Sequence, residues 1–225
     1  MNKRNLKRGT FFYNCYLYYR LYLKEKCFIK RKTYSQWGED LIIDNFFKDK
    51  IGKYVDIGCF HPIRHSNTCL LFNRGWSGVN IDVNPASIDQ FNIVRKTDVN
   101  VLAAVSDQTG KQVDFYFEHY FSTINSMYTR HLDELKVKYI KQKVYTKKFT
   151  DIVISNFDFL NIDCEGEDYN ILKTIDLNKF SPELICIEIV DDEKTKKLVH
   201  DYLLKFNYKL LSVRRYSYLY EKIKT

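Results

Sequence analysis

The stretch that decides the fold is Tyr54-Val55-Asp56-Ile57-Gly58-Cys59-Phe60-His61-Pro62, an apolar run that ends in Asp-Ile-Gly before a helix opening around Ser66 or Asn67. Further apolar runs follow in alternation with helical stretches. The strands read as Lys53 to Ile57, Gly78 to Asp82, Val99 to Val105, Phe159 to Asp163 and Leu184 to Val190. The helices read as Ser66 to Arg74, Pro85 to Val94, Glu167 to Ile175 and Asp192 to Phe206. Near-continuous apolar strands alternating with helices are the pattern of βαβ units on a buried, mostly parallel sheet, so the expected class is α/β. Upstream, Leu41, Ile42, Asn45 and Phe46 fall at helical spacing behind Ser35 or Asp40 as a cap, predicting a helix that ends near Gly52. Val113 to Glu118 and Lys143 to Phe149 read as added strands around a helical Met127 to Tyr139. The tail, Tyr208 to Val213 and Tyr216 to Lys222, alternates as an antiparallel C-terminal hairpin.

A chain of 225 residues suits one domain with a short appendage, divided here as a segment over 1–33 and a domain over 34–225. With 45% apolar and 16% aromatic residues it can bury a core, which excludes disordered and collagen-like readings. Six scattered cysteines without a CxxC pair argue against a zinc ribbon and a secreted disulfide framework, making a reducing, cytoplasmic compartment the expectation. The net charge of +8 is an N-terminal property. Residues 1–32 hold ten Lys or Arg against the one acid Glu25, and the remainder holds 26 basic and 27 acidic residues. A near-neutral body counts against a nucleic-acid partner. Within the basic segment, the aromatic stretch from Phe11 to Leu23 is too short to span a bilayer as a helix, which needs ~20 apolar residues. Two readings stay open for it: peripheral contact with the inner face of the membrane, or a helix packed on the domain or frayed in solvent.

In an open α/β sheet, ligands sit at the carboxyl ends of the strands, so the Asp56-x-Gly58 turn is where a nucleotide is expected. After Gly58 no glycine follows until Gly75, so the GxGxxG cradle for a pyrophosphate is absent. An adenosyl ligand without phosphates, S-adenosyl-L-methionine, does not need that cradle. Its ribose diol calls for a carboxylate at the end of the second strand, which Asp82 supplies. Asn84, just beyond, joins the expected cofactor-binding set. Asp56 can take the ammonium directly or through water, and Ser66 can cap the first helix near the cofactor carboxylate. Ser106 and Asp107 are placed to meet the adenine. Phe159-Leu160-Asn161-Ile162-Asp163-Cys164-Glu165-Gly166-Glu167 is a strand ending in carboxylates, and Asp163 and Glu165 can hold the ammonium, orient a hydroxyl nucleophile or accept its proton. His61 is an outside candidate for the base. Glu188 ends the next strand in an apolar setting where an acid needs a partner. His61 and His65 are four apart, but Pro62 between them speaks against a helix presenting both to a metal, so none is expected. His119, His131 and His200 show no partner pattern and read as surface residues.

Asp56-Ile57-Gly58, Ser66-Asn67-Thr68, Gly75-Trp76-Ser77-Gly78-Val79-Asn80-Ile81-Asp82, Ala104-Val105-Ser106 and Ile162-Asp163-Cys164-Glu165-Gly166-Glu167 together resemble the FkbM-type S-adenosylmethionine-dependent methyltransferases. The resemblance spans about Ser35 to Val190, with its five motifs in the family's order. Ser35-Gln36-x-Gly38-Glu39-Asp40 and Ser122-Thr123 also match patterns of some members. One departure is His61-Pro62, where many members carry a second glycine in the first loop. The resemblance implies a Rossmann-like sheet with an antiparallel last strand, and methyl transfer to a hydroxyl oxygen, often of a sugar, glycan precursor or polyketide-type product. The competing class is a non-catalytic adenosyl-binding or membrane-associated interaction module.

Overall fold

The computed structural model describes residues 6–25, 27, 32–122, 124–190 and 192–223. Parts of the basic N-terminal segment (1–5, 26 and 28–31) and Thr123 lie outside this set. Along the chain run α1 (Phe11–Tyr19), a π-helical turn over Arg20–Lys24, α2 (Glu39–Phe47), β1 (Lys53–Ile57), α3 (Cys69–Asn73), β2 (Ser77–Asp82), α4 (Pro85–Val94), β3 (Val99–Leu102), β4 (Ala104–Ser106) and β5 (Gln112–Phe117). There follow α5 (Arg130–Glu134), β6 (Ile140–Lys148), α6 (Phe149–Ile152), β7 (Phe159–Ile162), α7 (Asp168–Lys173), β8 (Leu184–Glu188), α8 (Glu193–Lys205), β9 (Tyr208–Arg214) and β10 (Ser217–Lys222).

Seven strands form one sheet in the order β3-β2-β1-β7-β8-β10-β9. The first five are parallel, and the β9–β10 hairpin closes the sheet antiparallel through β10 on β8. Period-two alternation divides the core between the two faces. Val55, Ile57, Leu160, Ile162, Ile185 and Ile187 pack with Ile171 and Leu172 of α7 and Val199 and Leu203 of α8. Tyr54, Phe159, Leu184 and Cys186 face the other way, onto Ile43 and Phe47 of α2 and Leu71 of α3. Fully burying each such aliphatic or aromatic side chain contributes roughly 1.5–3 kcal/mol.

This second face also carries a polar row. Asn100, Asn80, Asp56 and Asn161 stand in register on β3, β2, β1 and β7. Side-chain hydrogen bonds run between neighbours: Asn80 donates to Asn100 at 2.8 Å and Asn161 donates to Asp56 at 2.9 Å. Behind the row lies Arg95, just past α4 and wholly buried. It donates to the Pro62 carbonyl (2.6 Å), Ser66 (2.9 Å), Thr68 (2.7 Å) and the Tyr54 hydroxyl (3.1 Å). Buried charge is tolerable only with such partners.

Several sequence expectations need correction. The run Val99 to Val105 is two strands. At Ala103 the amide turns to the Asp82 carbonyl, and Ala104–Ser106 leaves the main sheet to pair with β6 in a small sheet of order β4-β6-β5. The helix expected over Met127 to Tyr139 is confined to Arg130–Glu134. The helix expected from Ser66 starts at Cys69, and Ser66 accepts from Arg95 instead of capping it. The upstream helix ends at Phe47, short of Gly52, with Gly38 at its N-cap, while Ser35 and Asp40 hydrogen-bond to each other. Of the readings left open for the aromatic stretch, packing on the domain is observed, since α1 rests on the body through Tyr13 and Leu17, which pack with Ala86 and Phe121.

Candidate active site

A cavity of about 490 Å³ opens at the carboxyl ends of the parallel strands. Its floor starts at Gly58, in the left-handed region (φ 80°), where an added Cβ would lie 1.7 Å from the Asp163 carbonyl oxygen. Only glycine lets the turn after β1 lie against the end of β7. At the tip of β2, the Asp82 carboxylate accepts from the amides of Phe60 (2.9 Å) and Asn84 (2.6 Å), which fixes its orientation. Burial pushes Asp82 up to about 6, against the pull of those amides. A carboxylate has about four lone-pair sites. The Ser87 hydroxyl takes a third, which leaves one for a ligand hydroxyl. Asn84 caps α4 by accepting from Ala86 and donates to the Tyr120 carbonyl, tying the β2 tip to the loop above.

The small sheet supplies an apolar wall. Val83, Ala103, Ala104, Val105, Val113 and Phe115 line this side, with Ser122, Asn125, Ser126 and Met127 from the loop above. Tyr128 in that loop hydrogen-bonds Glu167 at the start of α7. Across β1, on the side of β7, β8 and β10, the lining is polar: Gln36, Glu39, His65, Asn67, Asp163, Glu165, Glu188 and Ser217. Asp168 holds the turn after β7 by accepting from the amides of Cys164 (2.8 Å) and Gly166 (3.0 Å). Asp163 and Glu188 share a hydrogen bond, and burial together with the surrounding carboxylates raises both above their ordinary range. One proton between them relieves the repulsion. Glu188 Oε2 is buried without a partner. Phe60, His65 and Glu165 line this space with positive φ (38°, 53°, 52°), a conformation that non-glycine residues hold at a cost and that clusters at functional sites.

The family model for the FkbM methyltransferase domain matches residues 51–210. The chain belongs to the FkbM methyltransferase family. Its fold is the Rossmann-like fold of class I methyltransferases. Among solved structures it is similar to an FkbM methyltransferase from Methylobacillus flagellatus, at 14% identity and a TM-score of 0.52. That match covers 76% of this chain and 43% of the other, so the chain spans less than half of that protein's length. A TehB-like SAM-dependent methyltransferase from Corynebacterium glutamicum matches at 11% identity and a TM-score of 0.48, over 94% of this chain and 99% of that one. No curated protein matches.

In this FkbM chain the cavity brings together Asp56, Gly58, Ser66, Asp82, Asn84, Ser106, Asp163 and Glu165 from the sequence-based set. It leaves out two. Asp107 is exposed and accepts from Ser106 away from the lining. His61 is fully buried beneath it, with Nδ1 accepting from the Ile63 and Arg64 amides at 3.1 and 3.0 Å. Burial and then the nearby Arg20, Arg64 and Arg95 push its imidazole well below the ordinary range, so it stays neutral and organises the turn. Asp56 lines the cavity, yet its oxygens already accept from Thr68 (2.7 Å) and Asn161 (2.9 Å). His119 is half-buried rather than a surface residue and accepts from the Phe121 amide, His200 is exposed, and the His131 side chain lies outside the described set. Among the described residues no group of three His, Cys, Asp or Glu is placed to hold a metal ion. Sequence reading gave no role to Arg95, which no motif marks, nor to Asn161 and Glu39, which fall inside quoted motifs; their roles arise from register and burial.

Proposed function

We propose that this chain is an S-adenosylmethionine-dependent O-methyltransferase acting on a hydroxyl of a sugar or glycan precursor. The observation that carries the reading is the shared cavity: in a chain of this family, Gly58, Asp82, Asn84, Asp163 and Glu165 surround one space that has a carboxylate at the β2 tip and no phosphate cradle. The residues fit the cofactor in three respects. Asp82 keeps a lone pair for a ribose hydroxyl, the Val83–Val105–Phe115 wall suits a purine, and carboxylates beyond β1 complement positive charge. The volume falls within the usual range for small-molecule sites, roughly 300–1,000 Å³.

S-adenosylmethionine supplies an electrophilic methyl group with its own leaving group, so the protein's work is alignment and removal of one proton. Gln36, Glu39, Asn67 and Ser217 offer donors and acceptors on the polar side, which supports a polyhydroxylated acceptor. Glu165, exposed at the cavity wall, is the better proton acceptor of the two expected carboxylates, because Asp163 is tied to Glu188 in a pair whose carboxyls burial raises above their ordinary range.

Isothermal calorimetry tests the cofactor half: Asp82→Ala is expected to weaken S-adenosylmethionine at least tenfold, the effect of losing charge-assisted hydrogen bonds of about 1.5–3 kcal/mol. Undiminished binding in that variant refutes the ribose assignment. The acceptor half is read by S-adenosylhomocysteine release with sugar hydroxyl acceptors. Cofactor binding without turnover on any of them would favour the adenosyl-binding module instead.

A further inference from the structure

We propose that the outward face of α1 and the turn that follows docks this protein onto an anionic lipid surface. The inference does not depend on what the cavity binds. The segment is two-faced. Its inner side is clamped to the body: the Tyr13 hydroxyl donates to Asp89 at 2.7 Å, Arg8 grips the same carboxylate at 2.7 and 2.8 Å, and Arg20 donates to the Phe121 carbonyl at 3.2 Å. The outer side repeats at helical spacing as Phe11, Phe12, Tyr18, Tyr19, Tyr22 and Leu23, all exposed, with Phe11, Phe12 and Leu23 at 75%, 67% and 66%. Single exposed apolar residues are ordinary, whereas a contiguous aromatic face marks an interaction surface.

Charge selects the partner. The one acid of residues 1–32, Glu25, is buried between Arg20 (3.6 Å) and Arg64 (3.5 Å), so it presents no negative charge outward. Lys7 and Lys24, which flank the aromatic stretch, are exposed, as is Lys32 further along the chain. Tyrosine rings seated at headgroup level with lysines reaching anionic lipid are the composition of an interfacial helix. A second copy of the chain would present the same positive charge and repel. Fourteen helical residues from Phe11 to Lys24 extend ~21 Å at 1.5 Å per residue, short of the ~30 Å hydrocarbon core, so the segment lies in the interface. Among the described residues no helix is long and apolar enough to cross a membrane. Ala86 and Phe121, on which α1 rests, adjoin Asn84, Ser87 and Ser122 of the cavity wall, so docking holds the cavity beside the headgroup layer.

The test is flotation of the full chain with vesicles of phosphatidylglycerol and phosphatidylcholine, against vesicles of phosphatidylcholine alone. Binding is expected to the anionic vesicles, falling with added salt. The variant Phe11→Ser/Phe12→Ser/Tyr22→Ser/Leu23→Ser, changed only at exposed positions, is expected to lose at least tenfold in partitioning with an unchanged unfolding midpoint. Lys7→Gln/Lys32→Gln, which leaves the aromatic face intact, is expected to lose several-fold. The proposal is overturned by no binding to anionic vesicles, by equal binding to neutral ones, or by undiminished binding in the aromatic variant. A concentration-dependent dimer abolished by those four substitutions, without vesicle binding, overturns it in favour of self-association.

Discussion

Asp56 on β1 and Asp163, just past the end of the adjacent β7, lie at the same edge of the sheet, yet their surroundings are opposite. Asp56 is served by Thr68 and Asn161, with the Arg95 cation behind Thr68, and burial is what keeps its carboxyl raised against their pull. Asp163 is crowded by acids: after burial, its strongest influences are Glu188, Asp168 and Glu165. The difference teaches which carboxylate belongs to the frame and which to the chemistry. An acid whose lone pairs are met by fixed donors holds the strands in register. An acid kept among like charges is poised to receive a cation or trade a proton.

The largest break in this contrast is Arg95→Met, which would remove the charge near Asp56 and near Asp98, a buried carboxylate that accepts from Tyr54 and Asn80. Stability is expected to fall by several kcal/mol, because the Pro62, Ser66, Thr68 and Tyr54 oxygens lose the donors that Arg95 supplies, at about 1–3 kcal/mol each. Urea unfolding checks it, and a loss below 1 kcal/mol would show that the network is replaceable. Next comes Gly58→Ala, at the seam between the two acids. Its Cβ would lie 1.7 Å from the Asp163 carbonyl, so the turn must move, at about 1–3 kcal/mol for an overpacked site, and cofactor affinity is expected to drop with it. Unchanged calorimetric affinity in a folded Gly58→Ala protein would uncouple the seam from the site.

The smallest effect sharpens the contrast through pH. Asp163 and Glu188 have folded-state values raised above the unfolded ones, and Asp82 and Asp168 are pushed up to about 6. The folded chain therefore binds more protons than the unfolded one over this range. Their stabilising contribution is full below the unfolded carboxylate values near 4 and is lost as pH rises through the raised folded values. Glu188→Gln removes one member of the crowded pair and is expected to flatten that decline, with a gain on the order of 1 kcal/mol at pH 8 and none at pH 4. Denaturation at the two pH values reads it. An equal loss at both would mean that the Glu188 carboxylate serves packing.

Much of the fold was legible because local chemistry and tertiary structure agree. Asn84 before Pro85 announces a cap and a first helical residue, and α4 starts there and ends at Val94 as the periodicity predicts. β1 likewise keeps the predicted bounds. Where the reading failed, hydrophobicity was continuous across a change of partner. Nothing in Val99 to Val105 signals that Ala103 breaks the run and sends Ala104–Ser106 to another sheet. Asp82 and Asp163 were legible as site candidates from their positions at strand ends. His61 and Asp107 were not separable from them, because side-chain direction after a turn depends on contacts distant in sequence. Arg95 looks in sequence like any basic residue that follows a helix, and only burial reveals its role.

The clasp of Arg8 and Tyr13 on Asp89 has a kinetic consequence. Because it fixes α1 against the folded body, any surface that meets the outer face encounters a helix already wound. The conformational entropy that a disordered anchor would lose on contact is lost beforehand. Adhesion and release can then proceed as rigid-body events, without a folding step to slow either direction.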